Sequence, residues 1–175
     1  MYGRVLPTFF IFSVLSAAQT LTLDFATVPT PLTPQSLVAG DFNHDGKPDL
    51  AVTGSEGTIV ILLGNGDGTF RTGQTIAVAA PATRILKADF NGDGNPDLAV
   101  MVGNSGQVAI LLGKADGTFQ APADSGAKAP TGVFTPGNNP TMMAGDVDGD
   151  GKIDLILGPY SMASDSISVA SASTM

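Results

Sequence analysis

Three nine-residue segments carry most of the acid in this chain. They are Asp41-Phe42-Asn43-His44-Asp45-Gly46-Lys47-Pro48-Asp49, Asp89-Phe90-Asn91-Gly92-Asp93-Gly94-Asn95-Pro96-Asp97 and Asp146-Val147-Asp148-Gly149-Asp150-Gly151-Lys152-Ile153-Asp154. They hold ten of the 16 acidic residues, and every acid in the chain except Glu56 is Asp. Oxygen donors at this spacing suit calcium, which takes roughly six to eight oxygens at about 2.3–2.6 Å. Side chains at the first, third and fifth positions can turn inward as the loop curls. The sixth position, Gly46, Gly94 or Gly151, permits the sharp turn. The seventh, Lys47, Asn95 or Lys152, offers its backbone carbonyl. The ninth, Asp49, Asp97 or Asp154, closes the shell. The expectation is up to three Ca2+ ions, one per loop. The third loop, with Asp at all four carboxylate positions against three Asp and one Asn in the others, should respond most to the ion.

Two other readings of the loops are weaker. An EF-hand needs Glu at its twelfth position and flanking helices. The twelfth positions here are Val52, Val100 and Leu157, all apolar and inside predicted strands. Asp, Asn and Gly also make ordinary polar turns, but three copies in register within a repeat argue for a shared ligand. Catalytic alternatives fare no better. The only His is His44 and there is no Cys, which excludes His relays, thiolate metal sites and disulfides. His44 stands where the other loops have Gly92 and Gly149, and its side chain is expected to face solvent. Net charge is −8, which opposes binding to nucleic acid or an anionic membrane surface.

The elements that must position these loops repeat with them. The first aspartates, Asp41, Asp89 and Asp146, are 48 and 57 residues apart. A second element, Ile61-Leu-Leu-Gly64-Asn-Gly-Asp67-Gly-Thr-Phe70, returns as Ile110-Leu-Leu-Gly113-Lys-Ala-Asp116-Gly-Thr-Phe119, offset by 49 residues. With 12 Pro and 22 Gly in 175 residues, the chain favours a turn-rich fold over a helix bundle. The first unit reads as strands at about 36–42, 49–54, 58–63 and 69–78. Residues 65–68, Asn-Gly-Asp-Gly, mark a hairpin. Residues 120–140, rich in Pro, Gly and Ala, read as an inserted loop, and 167–170 as the third strand of the last unit. The recurrent Phe42, Phe70, Phe90 and Phe119 are expected in the core. Tandem four-stranded units of this length point to an all-β chain of propeller-type blades, about two and a half of them. Such an array leaves sheet faces without neighbours, so self-association is expected.

The loop and hairpin in this order resemble the FG-GAP/VCBS repeats of secreted bacterial proteins, which are similar to the calcium-binding blades of integrin α-subunits. The resemblance covers about residues 21–170. It implies a fragment of a seven-bladed β-propeller, with calcium in the hairpin between the first two strands of a blade. The ligands it implies are Asp41, Asn43, Asp45 and Asp49; Asp89, Asn91, Asp93 and Asp97; and Asp146, Asp148, Asp150 and Asp154. It also associates the chain with adhesion, surface recognition and carbohydrate-related modules.

Residues 1–18 combine Arg4, an apolar run from Val5 to Leu15 and Ser16-Ala17-Ala18. This is a signal-peptide pattern with cleavage after Ala18, and it is too short for a membrane span. The expected organisation is a signal peptide at 1–18, an N-terminal strand segment at 19–35, repeat 1 at 36–80, repeat 2 with its insert at 81–140 and a truncated repeat 3 at 141–175. Within 19–35, residues 21–27 could supply an outer strand to a further blade. The expected function is a secreted calcium-binding module with a binding, adhesion or display role and no catalysis of its own. Its partner would be an extracellular protein or carbohydrate. The alternatives are an accessory part of a larger polysaccharide-acting enzyme, or a truncated gene product.

Overall fold

Strands that are apolar on both faces cannot end a structure; they must be covered on both sides. In this chain Ile59, Ile61 and Leu63 point to one side of their strand, while Val60 and Leu62 point to the other, and all five are buried. The computed structural model describes residues 28, 30–103, 106–128, 141–158 and 167–170. It places them in three antiparallel sheets. The first runs β1 (Pro34–Gly40), β2 (Asp49–Gly54), β3 (Thr58–Gly64) and β4 (Phe70–Ala77), in that spatial order. The second repeats it as β5 (Ala82–Ala88), β6 (Asp97–Val102), β7 (Gln107–Leu111) and β8 (Ala123–Lys128). The third has β9 (Thr141–Gly145), β10 (Asp154–Gly158) and β11 (Ser168–Ala170), in the order β11-β10-β9. The described residues contain no helix. The all-β, blade-type expectation holds: two sheets have four strands and one has three.

The sheets stack face to face. One core layer joins Ala51, Ile59, Ile61 and Leu63 of the first sheet to Ile85, Leu98, Val100 and Leu111 of the second. The next joins Ala99, Met101, Val108 and Ile110 of the second to Leu155 and Leu157 of the third. Strand alternation sends successive side chains to opposite faces, so Leu98 and Val100 serve one interface while Ala99 and Met101 serve the other. A further clamp ties the first two sheets. Gln74 of β4 accepts the Phe119 N–H at 2.7 Å and donates to the Phe119 carbonyl at 3.1 Å.

Two boundaries differ from expectation. β1 ends at Gly40 instead of extending to residue 42, because Asp41 and Phe42 already belong to the acidic loop. Residues 123–128, expected in an inserted loop, form β8. An edge strand needs backbone pairing on one side only, here with β7, so Ala- and Gly-rich sequence suffices and gives little strand signal. The expected signal peptide and the segment 21–27 lie outside the described residues.

Candidate metal centres

Each acidic loop joins the first two strands of its sheet: 41–48 between β1 and β2, 89–96 between β5 and β6, and 146–153 between β9 and β10. The first-position carboxylate sits at the centre of the curl. Asp41 accepts N–H bonds from Asp45 at 3.1 Å and Gly46 at 2.9 Å. Asp89 accepts from Gly92, Asp93 and Gly94, and Asp146 from Gly149 and Gly151. The third position accepts from the fifth: Asn43 from Asp45, Asn91 from Asp93 and Asp148 from Asp150. The fifth accepts from the seventh: Asp45 from Lys47, Asp93 from Asn95 and Asp150 from Lys152. The sixth-position glycines have φ of 79°, 86° and 84°, where an L side chain would be strained. The N–H of Asn95, then the side chain of Asn91, hold the Asp93 carboxyl below the usual carboxylate range.

The ninth position does something the spacing alone does not reveal. Asp49, Asp97 and Asp154 are fully buried. Both oxygens of Asp49 are occupied: Oδ2 accepts the Phe42 N–H at 2.9 Å and Oδ1 the Gly64 N–H at 2.8 Å. Asp97 repeats this with Phe90 and Gly113, and Asp154 accepts from Val147. The carboxylate thus pins the acidic loop to the end of the third strand. Burial pushes the Asp97 carboxyl up, against the pull of N–H groups from Gly113, Phe90 and Asn91. This also explains the glycine of Ile-Leu-Leu-Gly. A Cβ on Gly64 would collide with the Pro48 carbonyl oxygen, and one on Gly113 with that of Pro96. Repetition of Leu-Leu-Gly was the available sequence signal, but it could not be joined to the ninth Asp without the fold.

The loops also belong to the sheet interfaces. Phe42 is 1% exposed and packs edge-on against Phe119 of the second unit, with ring centroids 5.5 Å apart at 73°. Phe90 is buried in the next interface, and Phe70 is half-buried on the outer face of the first sheet. His44, at φ 57°, is exposed as expected, and its Nε2 pairs with the side-chain oxygen of Asn95 in the neighbouring loop at 3.1 Å.

The donor set fits a hard cation best in the third loop. Ligand oxygens of Asp146, Asp148 and Asp154 all lie within 4.8 Å of one another. Like charges this close repel unless a cation lies between them. In the first two loops the third position is Asn, and its amide donates to the fifth-position Asp, at 3.3 Å for Asn43 and 2.9 Å for Asn91. Those loops therefore relieve part of their own charge, which Asp148 cannot do. The seventh-position residues Lys47, Asn95 and Lys152 stand in place in each loop, and an exposed ion pair of Lys47 with Asp45 at 3.9 Å adds little.

Tandem antiparallel sheets, each with an acidic loop between its first two strands, define a blade-repeat protein. The model of the FG-GAP-like repeat matches at residues 41–100 and 89–157, and the chain belongs to that family. No curated protein matches it. Among solved structures it is similar to a Tc holotoxin pore of Photorhabdus luminescens, with a TM-score of 0.51 and 23% identity. The match covers 81% of this chain and 6% of the toxin chain, so the likeness is one of fold.

Proposed function

We propose that the chain is a secreted, calcium-stabilised blade module that binds or displays and has no catalysis of its own. The carboxylate cluster of Asp146, Asp148 and Asp154 carries this reading, with the same loop geometry around Asp41 and Asp89. The ion would be held by side-chain oxygens of the first, third, fifth and ninth positions and the carbonyl of the seventh. Its role would be to fix the loop that delivers Phe42 or Phe90 to a sheet interface. An ion bound only by the native state stabilises it by RT ln(1 + [L]/Kd). Affinity in the range of extracellular modules, roughly 10⁻⁴–10⁻³ M, suits such a role. The pattern at 1–18 supports export, and the partner class proposed is an extracellular protein or carbohydrate. No helix among the described residues is long and apolar enough to cross a membrane. The test is thermal melting with calcium, magnesium or chelator. Calcium should raise the melting temperature, magnesium much less, and Asp45→Ala, Asp93→Ala and Asp150→Ala should each reduce the gain. An unchanged melting temperature in calcium would sink the reading.

A further inference from the structure

An asparagine loses ammonia when the backbone nitrogen that follows it attacks its side-chain Cγ. Among the described residues the asparagines are Asn43, Asn65, Asn91 and Asn95. Asn95 precedes Pro96, which has no N–H to give up. Asn43 precedes His44, whose side chain crowds the attack. Asn65 and Asn91 each precede a glycine, which leaves the nitrogen open to close approach.

Three contacts set Asn91 and Gly92 apart. Asn91 Oδ1 accepts the Asp93 N–H at 3.0 Å, which draws electrons toward that oxygen and makes Cγ more electrophilic. Asn91 Nδ2 donates to Asp93 Oδ2 at 2.9 Å, so the amide is gripped at both ends. The Gly92 N–H donates to Asp89 Oδ1 at 2.8 Å, which places a carboxylate on the proton that the attack must remove. Both residues are exposed to water. Asn43 has a similar grip from Asp45, but Asp41 takes the N–H groups of Asp45 and Gly46. At Asn65 the amide donates to the Thr69 hydroxyl, and Asp67 takes the N–H and hydroxyl of Thr69 instead of the Gly66 N–H.

We propose that Asn91–Gly92 is a self-modification site, at which the folded second loop promotes its own deamidation. Asp89 takes the proton from Gly92 N, and that nitrogen bonds to Asn91 Cγ. The Asp93 N–H holds the oxygen as it gains negative charge. The Cγ–Nδ2 bond then breaks, ammonia leaves with the proton returned by Asp89, and a succinimide remains. Water opens the ring at Cγ to give aspartate, or at the backbone carbonyl to give isoaspartate. Water is consumed, ammonia is released and nothing is oxidised. The third loop shows that the aspartate product fits this curl. Asp148 stands at the equivalent position, and the N–H of the following Gly149 reaches Asp146 at 2.7 Å. The aspartate product therefore gives the second loop the acid pattern of the third, whereas isoaspartate inserts a methylene into the loop backbone. The proposal needs no bound ion.

The test is mass spectrometry of the whole chain after incubation in chelator, which separates the outcome from the proposed calcium. Proteolysis and fragment sequencing read conversion of amide to acid separately at Asn91, Asn65 and Asn43. In the folded chain Asn91 should convert at least about tenfold faster than Asn65, with Asn43 slowest. In urea and chelator Asn91 and Asn65 should become alike, because the fold no longer places Asp89. Asp89→Asn keeps an acceptor for the Gly92 N–H but cannot take its proton. It should slow conversion at Asn91 at least about tenfold and leave Asn65 unchanged. Circular dichroism checks that this variant folds; if it does not, the comparison of folded and urea-unfolded chain decides. Conversion at Asn91 no faster than at Asn65 in the folded chain, an advantage that persists in urea, or an unchanged rate in folded Asp89→Asn would each overturn the proposal.

Discussion

Asp97 and Asp93 lie in one loop, and both are assigned to one ion, yet their removal should have different consequences. Asp97 is fully buried and accepts the Phe90 N–H at 2.9 Å and the Gly113 N–H at 2.8 Å. Asp97→Ala strands both donors in the interior. Each unsatisfied buried group costs about 1–3 kcal/mol, so the loss is roughly 2–6 kcal/mol. Relief of a buried charge returns part of it, since burial holds this carboxyl above its usual range. Asp97→Asn rescues one donor at most, because its amide nitrogen would meet the other backbone N–H. Asp93 is exposed, and water replaces it as acceptor for the Asn95 N–H. Its removal should cost under about 1 kcal/mol without calcium. The assay is urea unfolding in chelator, then in calcium. In chelator Asp97→Ala should lose several-fold more stability than Asp93→Ala, and both should lose the calcium increment of the second loop. Equal losses in chelator would refute the pinning role of the ninth Asp.

Three further outcomes follow from the same geometry. Gln74→Ala removes both bonds to the Phe119 backbone and should cost about 1–3 kcal/mol in urea unfolding; a change within error would mean water replaces the clamp. His44→Gly relieves a left-handed residue at φ 57° and should stabilise by up to about 1 kcal/mol, net of the chain entropy glycine adds and the exposed bond to Asn95; a lower melting temperature would count against it. The calcium increment should vanish as pH falls toward about 4, where carboxylates protonate. In chelator the sign at Asp97 reverses: its folded pKa lies above the unfolded value, so its ionisation costs stability as pH rises from about 4 through that folded pKa, and acidification restores it. An increment that persists at acid pH would speak against carboxylate ligation.

Much of this fold is legible in the sequence because its signals are local. Alternation in Ile59–Leu63 and Leu98–Met101 marks strands buried on both faces, and the loop spacing survives intact in space. What was not legible depends on contacts between distant residues. The Gly64 N–H reaches Asp49 across 15 residues, and nothing in either segment alone declares the pairing. The clamp of Gln74 on Phe119 spans 45 residues and one sheet interface. β8 escaped because its pairing is made by backbone groups, to which Ala and Gly contribute little pattern.

The proposed function assigns one calcium ion to each acidic loop. Calorimetric titration of the chain, with its Asp45→Ala, Asp93→Ala and Asp150→Ala variants, tests it most directly. The account predicts up to three calcium sites, one fewer in each variant, the largest calcium gain at the loop of Asp146, Asp148 and Asp154, and weak binding of magnesium, which prefers a smaller octahedral shell. No calcium heat, or an equal response to magnesium, would show that the loops are polar turns and would contradict the account.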